Sequence, residues 1–229
     1  MRGFSYGDYE AIITQVKNNF EIVSFSRAIE LDRQGENSFA VIRHDVDFSL
    51  GKALNMAKVD ADNGVSSTFC FLPWSSNYSL ANDRWVVNEL LRLGHDIGLH
   101  LDLSCLGHFT PEERIKNDCA YLSALFGTRV RVISVHFLGR VSAPPKCGEE
   151  IICTWQEPFM QSIKYFSDST GAWRYGNPVD SDEYKHGRPL HLNFHPIWWG
   201  SISEQERIEI LRRIGSHEFK KIAKAYGGI

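Results

Sequence analysis

The chain has 229 residues, with 25 lysines and arginines against 28 aspartates and glutamates and a formal net charge of −3. A chain this long can bury a sizeable core in one domain, and its near-neutral balance supplies no basic field to steer it onto nucleic acid or an anionic membrane. No stretch approaches the ~18 apolar residues of a membrane-crossing helix, and the opening MRGFSYGDYEAIITQV lacks the apolar core of a secretory leader, so a soluble, cytoplasmic, single-domain protein is expected.

Short runs of β-branched and aromatic residues alternate with longer segments of helical period, the pattern of βα units around a mostly parallel sheet. Strands are predicted at Phe39–Val46, Ser66–Leu72, Asp96–Leu101, Val130–Phe137, Ile163–Ser167 and Leu190–Phe194. The first helix between them is predicted over Leu50–Asn63, with Leu54, Ala57 and Ala61 along one face and Gly64 placed to end it. Asn82–Leu93 has the same character and stops at Gly94. Thr110-Pro111-Glu112-Glu113 opens a further helix, with an N-cap threonine, a proline in the first turn and a glutamate at N3. The final helix is expected over residues 203–226, with Ile208, Leu211, Ile214 and Phe219 as its buried stripe. About six strands are too few for a complete eight-stranded barrel, which leaves an open or partly closed α/β sheet. The long loops Ser142–Gln156 and Ser169–Arg188 are the segments most free to build a site.

Cys70, Cys105, Cys119, Cys147 and Cys153 are odd in number and lack CxxC spacing. They read as reduced packing thiols rather than a disulfide framework or a thiolate zinc site. There is no GxSxG elbow, GxxxxGK[ST] loop, GxGxxG after a strand or HExxH, so serine hydrolase, P-loop, dinucleotide and zincin chemistry have no anchor.

The informative polar residues fall where strands end: Asp45 and Asp47, His100 and Asp102, His136, Asp168, and His195. In parallel α/β folds the carboxyl ends of strands share one face, so these groups converge although distant in sequence. Carboxylates at i and i+2 of an extended strand point the same way, which lets one hold a metal while the other accepts a proton. The competing reading of Asp45 is a buried carboxylate paired with Arg43 or with loop amides. An aspartate with two imidazoles, leaving positions open, is the ligand set of a catalytic zinc or a similar divalent ion. His195, locked before Pro196, suits a general acid; the plainer alternative is a core histidine bonded to a carbonyl. Trp198 and Trp199 suggest either a sugar-stacking wall or mixed core and surface packing. His44, His95, His108, His186, His191 and His217 read as surface or structural residues.

Taken in order, RHDVD, GHDIGLH, VISVHFLGR, YFSDSTGAWR and LNFHP resemble the motifs of the polysaccharide deacetylase superfamily, the carbohydrate esterases with a NodB-type domain, and especially its divergent surface-polysaccharide branch. The likeness spans roughly residues 39–200. It implies a distorted (β/α)7 barrel that hydrolyses N- or O-acetyl groups on a carbohydrate or sugar-nucleotide substrate with one divalent metal ion, zinc first and cobalt, nickel, manganese or iron as alternatives. It also implies Asp45 as catalytic base, Asp47 and His100 as metal ligands and His195 as general acid, with Asp168 and Trp173 in the fourth motif; Arg140 and Trp198 are further candidates for the substrate side. One position departs from the pattern: where the second motif carries another ligand histidine, this chain has Ser104. His136 is the candidate replacement and His108 the reserve. Two other readings stay open, a pocket protein on the same barrel without turnover and a sugar epimerase or isomerase.

Overall fold

The structure is a computed structural model that describes residues 3–106, 108–136, 145, 147–148, 150–203 and 205–212. Its elements run α1 (Tyr6–Asn19), β1 (Glu21–Ile22), α2 (Phe25–Arg33), β2 (Phe39–Val46), α3 (Leu50–Asp62), β3 (Thr68–Phe71), α4 (Arg84–Arg92), β4 (Asp96–Leu101), α5 (Pro111–Phe126), β5 (Val132–Val135), β6 (Ile152–Cys153), β7 (Lys164–Ser167), α6 (Asp182–Lys185) and β8 (Leu190–Phe194). The strands pair in the order β6-β5-β4-β3-β2-β8-β7, with β1 also against β2, and every pairing is parallel. The sheet curls into a half-barrel, the α/β architecture expected of a distorted (β/α) barrel. The six expected strands are present. The two additions, β1 and β6, have two residues each, too few to show any periodicity.

Strand β2 is buried along its whole length because helices cover one face and the inside of the curl takes the other. Ala40 and Ile42 pack outward with Tyr9, Ile12, Ile13 and Val16 of α1 and with Leu190, Leu192 and Phe194 of β8. Phe39 and Val41 pack inward with Phe25, Ala28 and Leu31 of α2 and with Phe159 and Ile163. The inner face is therefore apolar at the amino end of β2 and turns polar at Arg43 and Asp45. The expected start of α5 is realised in full: Thr110 and Glu113 close a reciprocal capping box. Gly98 lets β3 and β5 close tightly around β4, since a Cβ there would lie 2.7 Å from Cys70 Sγ and 2.8 Å from the Val132 carbonyl.

Two expectations are corrected. Residues 205–212 are helical, but the residue they bury is Ile210, while Ile208 and Leu211 are exposed. The helix meets the outer core beside Arg207, whose guanidinium lies over the Trp198 ring, and that contact sets which face turns inward; Ile214 and Phe219 lie outside the described residues. Cys147 and Cys153 form a disulfide across a Cα–Cα distance of 6.5 Å, contrary to the reading of five reduced thiols. The pairing arises because β6 returns Cys153 to the loop carrying Cys147, which the spacing alone does not reveal. Cys70 and Cys119 are free and buried. No described helix is long and apolar enough to cross a membrane.

Candidate metal centre and active site

The register of the sheet assembles the site. Arg43 lies opposite Asn193 of β8 and Asp45 opposite Cys70 of β3. On the other side His100 of β4 lies opposite Ser134 of β5, and His136, just past β5, donates its backbone N–H to the Leu101 carbonyl at 2.9 Å. The pleat of β2 then sends Arg43, Asp45 and Asp47 toward these groups from one face.

His100 Nε2, His136 Nδ1 and Asp47 Oδ1 form a nearly equilateral triangle. The two nitrogens are 3.1 Å apart, and they lie 3.1 Å and 3.2 Å from the carboxylate oxygen. Ligands ~2.0–2.1 Å from a tetrahedral zinc stand about 3.3 Å from one another, so the triangle matches one face of such a site. Asp47 Oδ1 is buried, and the two imidazole nitrogens stand in ion-pair contact with it without a well-aligned hydrogen bond. A buried unsatisfied acceptor costs ~1–3 kcal/mol, and a cation shared with the two nitrogens would relieve it. Burial alone would raise the Asp47 pKa, but the neighbouring imidazoles hold it well below the usual carboxylate range. The residues thus fit a divalent ion in donor chemistry and spacing. Among the described residues they are the one such cluster. His108 is exposed and stands outside it. Ser104 is turned aside, its backbone N–H and hydroxyl bonded to Asp102 Oδ1 at 2.8 and 2.6 Å in a 3-10 turn that Asp102 caps.

Asp45 sits beside the triangle. Its Oδ2 accepts from Arg43 Nη2 at 3.0 Å and from Asn193 Nδ2 at 2.9 Å, and its Oδ1 accepts from the Ser134 hydroxyl at 2.8 Å. Asp45 is thus paired with Arg43, as the plainer sequence reading has it, and also stands 3.7 Å from His100 Nδ1 beside the cluster. Burial pushes its pKa up, but Arg43, His100 and His195 outweigh that and keep it below the ordinary carboxylate range.

His195 faces Asp45 from the far side, with Nε2 3.8 Å from Asp45 Oδ2. Asp168 fixes the ring, accepting from the His195 backbone N–H at 2.9 Å and bonding to Nδ1 at 2.8 Å, while Trp199 Nε1 donates to its other oxygen at 2.6 Å. Burial disfavours the charged imidazole, yet the Asp168 hydrogen bond and the surrounding carboxylates bring the pKa up to about 9.

Asp168 is fully buried beneath His195. Trp173 is half-buried against Phe194 and Trp199. Trp198 and Trp199 are both buried, so the expected split of that pair between core and surface does not occur. Arg140 lies outside the described residues. Sequence reasoning passed over Ser134 and Asn193. Their one available signal was position, since each lies within a predicted strand in register with a residue already singled out.

No family model matches the chain, and no curated protein matches it. Among solved structures it is similar to a peptidoglycan deacetylase from Bacillus subtilis, with a TM-score of 0.42 and 9% identity over 80% of this chain and 95% of that one. It is also similar to a family 4 carbohydrate esterase from Bacillus anthracis, at 0.40 and 13% identity over 89% and 90% of the two chains. A third, described as a polysaccharide deacetylase proposed for O-antigen biosynthesis in Bordetella bronchiseptica, gives 0.42 and 13% over 77% and 79%. The likeness is one of chain course, and residue roles rest on the geometry above.

Proposed function

We propose that this chain is a metal-dependent hydrolase that removes an acetyl or similar acyl group from an amino sugar or glycan intermediate. The observation that carries the reading is the triangle of Asp47, His100 and His136 flanked on opposite sides by an ionised carboxylate and an imidazole able to hold a proton. Asp47, His100 and His136 would hold the ion, with zinc the best match to two imidazoles and a carboxylate. When bound, a divalent ion there supplies a Lewis acid for the acyl carbonyl and lowers the pKa of water.

The chain's own residues do the proton work. Asp45, ionised and fixed by three donors, takes a proton from the attacking water. His195, held by Asp168 with Nε2 toward Asp45, gives a proton to the departing amine, because an amide anion is too basic to leave unassisted. An epimerase would use the same groups but release nothing, and a pocket protein would bind without turnover.

The test is acetate release from N-acetylglucosamine oligomers and acetylated sugar nucleotides by protein loaded with zinc, before and after chelation. Release that stops with chelator and returns with zinc is expected. Stoichiometric metal with no acyl release from either substrate class would overturn the hydrolase reading.

A further inference from the structure

Ser134 is fully buried and joins the two halves of the site. Its Oγ lies 2.8 Å from Asp45 Oδ1 and 2.7 Å from His100 Nδ1. A hydroxyl has one proton to donate and two lone pairs to accept with. Asp45 already collects donors on its other oxygen from Arg43 and Asn193, the arrangement of a carboxylate, which can only accept. The Ser134 proton is therefore committed to Asp45, and Ser134 can only accept from His100.

We infer that Ser134 is the positioning residue that holds His100 in the tautomer protonated on Nδ1, so that the Nε2 lone pair points at Asp47 and His136 and is ready to bind a metal. The inference rests on the proposed metal-dependent reading and adds to it the residue that prepares the ligand. Such partners behind a ligating histidine fix its tautomer and ring angle, and their loss typically weakens metal binding 10–100-fold. The serine also ties the ligand to the base: the group that orients His100 is itself oriented by Asp45.

The test has two readouts besides turnover. In metal-free wild-type protein, nitrogen-resolved NMR of the imidazoles should show His100 protonated on Nδ1; protonation on Nε2 instead would overturn the inference whatever the variants do. In a cobalt titration followed by visible absorption, wild type should take one equivalent. Ser134→Ala should bind about 10–100-fold more weakly, and Ser134→Thr, which restores the hydroxyl, should recover most of the affinity. Equal affinity in wild type and Ser134→Ala, with His100 still protonated on Nδ1, would overturn the role of Ser134 while leaving the metal site intact. Absence of cobalt binding by wild type would overturn the site itself. If Ser134→Ala fails to fold, the wild-type tautomer and the threonine variant still decide.

Discussion

Two buried clusters of aspartate and histidine lie back to back across β2, and they differ in where their lone pairs point. On the outer face, His44 Nε2 meets Asp60 Oδ2 at 3.1 Å, Tyr9 donates to Asp60 Oδ1 at 2.5 Å and Ser67 to Oδ2 at 2.7 Å. His95 closes the chain, accepting from the Ser67 N–H at 3.2 Å and reaching the Ala57 carbonyl at 2.8 Å. The whole group is buried, with the His44 ring stacked on Phe69 at 4.2 Å. On the inner face Arg43 and Asp45 of the same strand, with Asp47 just past its end, bring two imidazole nitrogens to 3.1 and 3.2 Å from Asp47 Oδ1, with His136 and Asp47 still 14% and 11% exposed. A buried Asp–His pair is thus not in itself a site. The outer cluster bonds its polar atoms to one another, His44 Nδ1 excepted, and stiffens the packing of α1 and α3 on the sheet; the inner one directs three ligand atoms at a single point that solvent can reach.

This contrast can be broken experimentally. The largest effect is expected at Asp45: Asp45→Asn should keep the metal but lose ~10²-fold or more in turnover, the scale of removing a general base. Unchanged turnover would assign the proton to another group. Next, His195→Ala should leave metal binding intact and slow amide cleavage strongly, while an activated acetate ester, whose leaving group needs less protonation, suffers less. Amide cleavage at the parent rate would make His195 as structural as His44.

The pH profile sharpens the same point. His195 acts in its protonated form, so the rate should fall as pH rises through a pKa near 9, and a bound cation would move that limb to lower pH. Asp45 acts ionised and is held below the ordinary carboxylate range, so the acidic limb should lie below that range. His195→Ala should flatten the basic limb alone. The smallest effect on function is expected in the outer cluster: Asp60→Asn should cost ~1–3 kcal/mol of stability through the partners it strands, read by denaturant unfolding, with metal affinity and turnover unchanged. A loss of metal binding in that variant would show that the two clusters are coupled through β2.

Much of this arrangement was legible in the sequence, and the misses have physical causes. Three of the six strands matched residue for residue, Phe39–Val46, Asp96–Leu101 and Leu190–Phe194, because buried strands in a parallel sheet read as apolar runs with clear ends. The site was legible because parallel topology gathers strand ends, which is why His136 was named in place of the histidine missing at Ser104. Ser134 and Asn193 were not, since a serine or asparagine inside a strand carries no chemical signal until the register shows what it faces. The outer cluster was hidden for a different reason: α1 was not foreseen, and without it Tyr9 has no reason to meet Asp60. The Cys147–Cys153 pair depended on β6, a strand too short to announce itself.

The most direct measurement is metal content, by elemental analysis of protein purified without chelator and reloaded with zinc, for wild type and His136→Ala. One equivalent of divalent metal in wild type and none retained in the variant is the expected result. Full retention of the ion by His136→Ala would contradict the triangle of Asp47, His100 and His136 on which the proposed chemistry is built.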